Sequence, residues 1–279
     1  MLATLERMAG LSRASMDGAL TGRAAVAVSV ASESGLLLGA FQRGCDGASA
    51  RFRRASGGSA LTITPGTVHV VLALASPDAL TPCDENKVLN RHVRPLLRAT
   101  GARYFGRDWA SVDHRPAAFV GVAHDATSKR TAFEAFVAVR SPLWTHARPS
   151  FLDKEPTSLG PQADPDAVAR SILEAYRRAY GALDDLVPLD ASPVEDAPPW
   201  TAREAVAIGE VCAGRDAAGV MRLGGELMAS RDAVAELELR LASEPLENAI
   251  DETLGRPGVL VFGVKSLASI RDVIQRAIG

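Results

Sequence analysis

The run Thr67-Val68-His69-Val70-Val71-Leu72-Ala73-Leu74 constrains the fold more than any other stretch. It is rich in β-branched residues and too continuously apolar for a strand with one wet face, so it is expected at the centre of a sheet. Pro65-Gly66 joins it to a shorter β run over 60–64. Two more β runs, 24–31 and 36–41, flank the turn Ser32-Glu33-Ser34-Gly35. Residues 117–124 and 131–140 read as a hairpin about the polar turn 125–130.

Helices interrupt these strands. Residues 1–20 place Leu2, Leu5, Met8 and Leu11 on one side, as a helix packed on the domain would. Residues 84–100 place Leu89, Val93, Leu96 and Leu97 on one face; Pro95 predicts a kink or a late restart, and Gly101 a C-cap. Residues 164–180 read as a helix with Asp164 as N-cap and Gly181 after it. This order is not a doubly wound βαβ pattern. It predicts an α+β fold, a mixed or antiparallel sheet with packed helices.

Domain boundaries are expected at 1–185 for the main domain, 186–199 for a linker rich in Asp, Pro and Ser, and 200–279 for a small α+β accessory unit. In that unit, Thr201 and Glu204 suggest a capping box opening a helix over 201–212. Further helical stretches are expected over 217–229, 230–242 and 266–278, with a short strand over 258–264.

Composition narrows the function. The 279 residues are 47% hydrophobic, enough for a sizeable core, and only 5% aromatic, so that core must be aliphatic. A net charge of −2 gives no reason to expect a nucleic-acid or anionic-membrane partner. Cys45, Cys83 and Cys212 are scattered, which indicates neither a disulfide framework nor a metal site. Without an apolar leader or an 18-residue apolar run, a cytoplasmic protein with no membrane span is expected.

Arg53-Arg54-Ala55-Ser56-Gly57-Gly58 is the candidate for chemistry. Glycines let a backbone approach a ligand, consecutive N–H groups can cradle an anion, and arginine adds a donor fork. The same residues also read as an ordinary turn between strands.

Several segments resemble the lipoate-protein ligase and octanoyltransferase branch of the biotin/lipoate ligase superfamily, in that family's order. Arg54-Ala55-Ser56-Gly57-Gly58 matches its R-x-S-G-G, which helps wall the acyl-adenylate pocket. Leu38-Gly39-Ala40-Phe41-Gln42 resembles its early strand, Gly106-Arg107-Asp108 its G-R-N-D, and 155–159 its later loop before a helix. The resemblance covers about residues 20–185 and implies binding residues Arg54, Ser56, Gly57, Gly58, Arg107, Asp108 and Arg115. It further implies ATP with Mg, lipoate or octanoate as substrate, and a lysine on a lipoyl-type carrier domain as acceptor.

One departure bears on activity. Arg115 keeps the arginine of the family's G-R-K-I-S-G, but the lysine position falls on Pro116, and no lysine lies between Lys87 and Lys129. A preorganised cation at a developing oxyanion is worth ~3–4 kcal/mol, and proline supplies neither charge nor N–H. His124, on the same strand, is the candidate stand-in. Cys83, ahead of a helix, and Cys45, in a Gly-rich loop, are candidate nucleophiles without a placed histidine, while Cys212 reads as core. Two readings stay open: a lipoate ligase-like enzyme with impaired chemistry, and an inactive ligase-like binding or partner subunit.

Overall fold

A computed structural model describes residues 1–43, 52–145, 153–194 and 197–279. Cys45 lies outside them. Eight strands form the main sheet, in the order Leu2–Ala3, Ala24–Ala31, Val68–Leu74, Thr131–Val137, Arg115–His124, Trp109–Val112 and Arg103–Tyr104. Asp184–Asp185 also pairs with Ala24–Ala31. The four long strands run antiparallel to one another, while Leu2–Ala3 and Asp184–Asp185 pair in parallel with Ala24–Ala31, so the sheet is mixed.

Val68–Leu74 lies near the centre, and every residue in it is buried. Side chains alternate across a strand, so both faces need cover. Val68, Val70, Leu72 and Leu74 pack with Val93 and Leu96 of α2 (Val88–Thr100) and with Ile172 and Tyr176 of α3 (Pro165–Tyr180). On the other face, Val71 and Ala73 pack with Leu11 and Ala14 of α1 (Leu5–Asp17). Asp164 caps α3 by accepting from the Asp166 N–H, and Gly101 ends α2 in the left-handed region at φ 70°. α2 runs through Pro95, and the single 3₁₀ turn Glu85–Lys87 stands where its first turn was expected.

The strands either side of Pro65-Gly66 belong to different sheets. Leu61–Ile63 joins a second, five-stranded sheet with Trp144–Thr145, Gly35–Leu38, Phe52–Arg53 and Ser192–Pro193. Residues 186–199 are therefore not a free tether along their whole length. Leu186 N–H donates to Val26 O, and Ser192–Pro193 pairs with Phe52–Arg53.

The last 80 residues correct two helix expectations. Residues 201–212 lie in the strands Trp200–Val206 and Gly209–Arg215, and Met221–Gly225 completes an antiparallel three-stranded sheet. The Thr201/Glu204 pair is not a capping box: Glu204 takes Arg276 of the last helix at 2.6 Å, and Arg203 pairs across the strands with Glu210 at 2.8 Å. Within 217–229, Asp216 accepts from the Ala218 and Val220 N–H groups at 2.9 and 3.0 Å, and this local turn outcompetes a helix. α4 (Arg231–Arg240), α5 (Leu246–Thr253) and α6 (Leu267–Ile278) bury Val234, Leu237, Ile250, Ile270 and Val273 with Val211 and Leu223 of this sheet. α5 was not expected. Ile208, Met228 and Leu260 are instead buried in the main core. Among the described residues, no helix is long and apolar enough to cross a membrane.

Candidate functional site

Arg54 follows the strand Phe52–Arg53 and turns into the face of the main sheet that α1 covers. It is only 4% exposed. Its Nε donates to Ser56 Oγ at 3.0 Å and its Nη1 to Leu37 O at 3.3 Å. Its Nη2 donates to Gly57 O at 3.2 Å and Ser59 O at 2.8 Å. The guanidinium carbon also lies 5.5 Å from the centre of the Phe136 ring. Burial pulls the guanidinium down to about 10, against the opposing pull of the Glu134, Asp108 and Glu226 carboxylates. It is still a cation at neutral pH.

Glu134, on the central strand Thr131–Val137, is the matching anion. It accepts from Ser56 Oγ at 2.5 Å and Ser12 Oγ at 2.8 Å, and lies 2.6 Å from His69 Nε2. Burial alone would raise its carboxyl, but the His69 hydrogen bond and charge, the Arg54 charge and the Ser56 hydroxyl outweigh it and hold the group below the ordinary value of 4.5. Ser12 Oγ also takes the Ala55 N–H at 2.8 Å, so α1 is tied to the turn. His69 stacks on Phe136 at 4.7 Å.

The two glycines allow close backbone contact. A Cβ on Gly57 would stand 2.1 Å from Leu227 O, and Gly58 has φ 101°, which L side chains rarely adopt. Their N–H groups, the expected anion cradle, are both spent on protein. Gly57 N–H donates to Val122 O at 3.0 Å and Gly58 N–H to Leu227 O at 3.2 Å. Leu227 and Met228, both fully buried, lie against the turn. The cavity that Arg54 shares with Leu61, Asp108, Phe119, Gly121 and Phe136 holds about 10 Å³, no more than one water.

The structure brings Arg54, Ser56, Gly57, Gly58 and Asp108 together. Asp108 is buried beside Arg54, and Arg107, one residue earlier, is half-buried. Arg115 is exposed and turned away: its Nε donates to Glu155 O at 3.1 Å and its Nη2 to Pro156 O at 3.0 Å. A register shift does sit beside it, where Ala110 pairs with Ala118 and Ser111 with Pro116. Pro116 is buried, and its carbonyl takes the Thr157 N–H at 2.7 Å.

His124 sits at the far end of the same strand, eight residues on, which is roughly 27 Å. Its Nδ1 is 2.9 Å from Thr131 Oγ1 and its Nε2 is 3.1 Å from Gly258 O, so it bridges the hairpin to the C-terminal region. Cys83 is partly buried, and burial pushes its thiol up despite the helix that follows. Burial, with Glu210 nearby, pushes the Cys212 thiol up to about 12. Among the described residues, no three His, Cys, Asp or Glu side chains converge as a metal site.

Ser12, His69 and Glu134 were missed from the sequence. The one signal available was polarity: His69 is the lone polar residue of its strand and Glu134 the lone charged residue of its own.

No protein-family model matches the sequence, and no curated protein does. Solved structures are similar in fold. P. falciparum LipL1, in complex with lipoate, is 10% identical with a TM-score of 0.62, over 98% of each chain. A bi-partite lipoate protein ligase from Thermoplasma acidophilum, studied with its E2 lipoyl domain, is 12% identical with a TM-score of 0.52, over 66% of this chain and 84% of that one. The sheet with its flanking helices, the R-x-S-G-G turn laid on it and these likenesses together show that the chain has the biotin/lipoate ligase-like fold.

Proposed function

We propose that this chain is a lipoate ligase-like protein that does not itself activate an acyl acid. It serves instead as a binding or partner subunit, for a lipoyl-type carrier domain or for a protein that handles one. The observation that carries this reading is the internal satisfaction of the R-x-S-G-G motif. Most donors of the expected cradle end on protein: four of the five Arg54 N–H groups, the Ser56 hydroxyl and each glycine N–H. Small-ligand pockets run to about 300–1,000 Å³. The space here, about 10 Å³, does not fit lipoate, octanoate or a nucleotide.

Pro116 adds a chemical argument. Attack on an acyl-adenylate or thioester builds charge on the acyl oxygen, and Pro116 itself supplies no cation for it. Lys129 lies on the hairpin turn beyond His124, and Arg115 holds the 155–156 carbonyls. The active alternative is activation of lipoate or octanoate with ATP and Mg, followed by transfer to a carrier lysine. It would need Leu227 and Met228 displaced and a cation supplied from elsewhere. The carrier-domain half of the proposal draws on the fold, since the Thermoplasma acidophilum ligase was studied with its E2 lipoyl domain.

Isothermal titration of the full chain with a non-hydrolysable lipoyl-adenylate analogue, octanoate and ATP tests the first half. No saturable heat is expected from any of the three. Submillimolar binding of the adenylate would overturn the reading. Adding an isotope-labelled apo lipoyl domain tests the second half. Localised NMR shift changes without lipoylation by mass spectrometry are expected.

A further inference from the structure

One stretch of the main domain is charged in one sense only. Between Glu85 and Asp108 the chain carries Lys87, Arg91, Arg94, Arg98, Arg103 and Arg107 and no Asp or Glu, although the net charge of the protein is −2. Arg91, Arg94 and Arg98 follow at helical steps of three and four, so they share one face of α2, away from the buried Leu89, Val93 and Leu96. Tyr180, at the end of α3, marks where they meet. Burial pushes its hydroxyl up to about 12, with Cys83 adding to the rise, while Arg94, Arg91 and Arg98 all oppose it. The hydroxyl itself lies 3.0 Å from His92 Nδ1, against α2.

None of these three guanidinium groups forms an ion pair or a side-chain hydrogen bond among the described residues. Elsewhere the protein pairs its surface arginines. Arg240 of α4 meets Glu236, Glu244 and Glu252, and Arg276 of α6 meets Glu204. Like charges three and four residues apart on a helix repel, so the α2 face gives up some helix stability with no acid to offset the loss. Arginine and tyrosine are also the residue types enriched where proteins meet.

We infer that this face of α2 docks an acidic segment of a partner protein. The stripe from Arg91 to Arg98 is only about 10 Å long, and Asp84 and Glu85 stand just before α2. A nucleic-acid strand or an anionic bilayer would run past the stripe onto those carboxylates and a net-negative chain. A short run of Asp or Glu on a protein surface matches the stripe without meeting them. The inference stands apart from the R-x-S-G-G turn and holds whether or not the chain activates an acyl acid.

Fluorescein-labelled oligoglutamate is the probe, titrated with the full chain by fluorescence anisotropy, beside a single-stranded oligonucleotide and phosphatidylserine vesicles. Saturable oligoglutamate binding that weakens as salt rises is expected, with both comparison arms weaker. The double variant Arg94→Gln/Arg98→Gln should weaken it about tenfold. Arg203→Gln/Arg276→Gln removes the same charge from the C-terminal unit and should change it less than about twofold. Arg94→Glu gives Arg98 an acidic partner four residues earlier, so it should abolish binding without lowering the thermal midpoint, a combination that misfolding cannot imitate. No saturable binding, an equal loss in the Arg203→Gln/Arg276→Gln variant, or tighter binding of the oligonucleotide or the vesicles would each overturn the assignment.

Discussion

Arg53 and Arg54 are covalent neighbours with opposite surroundings. Arg54 is sealed under the turn, with four hydrogen bonds and a buried carboxylate nearby. Arg53 ends a two-residue strand and lines an open, charged pocket. Arg54 borders both spaces and Arg53 only the open one, so one dipeptide joins a closed site to an open one. The closed side has the form of a ligand cradle, but the protein itself supplies most of the acceptors. The open side has no motif to announce it and is bordered by charged side chains of α1, α4 and the strand before the turn. A sequence motif reports that a backbone can take a certain shape. It does not report whether the rest of the chain has filled that shape.

The comparison breaks first at its buried end. Arg54→Ala leaves Glu134 without its nearby cation and strips carbonyls of donors. Removing one partner of a buried charged set costs about 3–5 kcal/mol, so urea unfolding should show a loss of that size, or failure to fold. A loss under 1 kcal/mol would mean that Arg54 is not the keystone of the turn. Leu227→Ala should follow. It deletes a fully buried side chain beside the turn, with an expected cost of about 2–4 kcal/mol. If that variant also gains binding of a lipoyl-adenylate analogue, occlusion by this segment is what separates the protein from an acyl-binding one.

Acid gives a third test. The Glu134 carboxyl is held below its ordinary value in the folded state, so the unfolded chain binds its proton more readily. The contribution of this group is fully present above the ordinary carboxylate value of 4.5 and is lost as pH falls below it toward the folded value. His92 in α2 adds to the slope. Burial lowers it to about 4 from an ordinary 6.5, so stability falls as pH drops through that interval. Thermal unfolding between pH 7 and pH 3 should show both losses, and Glu134→Gln should flatten the lower part only. The smallest effect should be Arg53→Ala, at about 1 kcal/mol or less for a partly exposed charge. A cost equal to that of Arg54→Ala would erase the contrast between the two sides.

The seam between the main sheet and the last 80 residues explains why the closed side stays closed. Asp232, near the start of α4, accepts from the Ala126 N–H, Thr127 N–H and Thr127 Oγ1 at 2.9, 2.9 and 2.7 Å. His124 reaches Gly258 O and forms a parallel β-bridge with Ser230. These contacts fix the hairpin tip to the C-terminal region on one side of Leu227 and Met228, while the Gly57-Gly58 turn fixes the other.

Much of the main sheet was legible because its signals are local. An apolar β-branched run, a polar hairpin turn, Asp164 before a periodic stretch and Gly101 or Gly181 after one each act within a few residues. The R-x-S-G-G segment was legible for the same reason. In 201–229 local signals misled, because Glu204 and Asp216 found partners that no helix pattern reveals. The sequence by itself determined that Val68–Leu74 must be covered on both faces, that Pro116 offers no cation and that Gly57 and Gly58 form a tight turn. Only the tertiary structure decided where that turn's N–H groups go, which arginine is buried and what fills the space above the sheet. Each of those outcomes depends on Leu227, Glu134 or Arg231, residues 80 to 178 positions from Arg53 and Arg54, and a hydrogen bond or packing contact over such separations leaves no trace in local pattern.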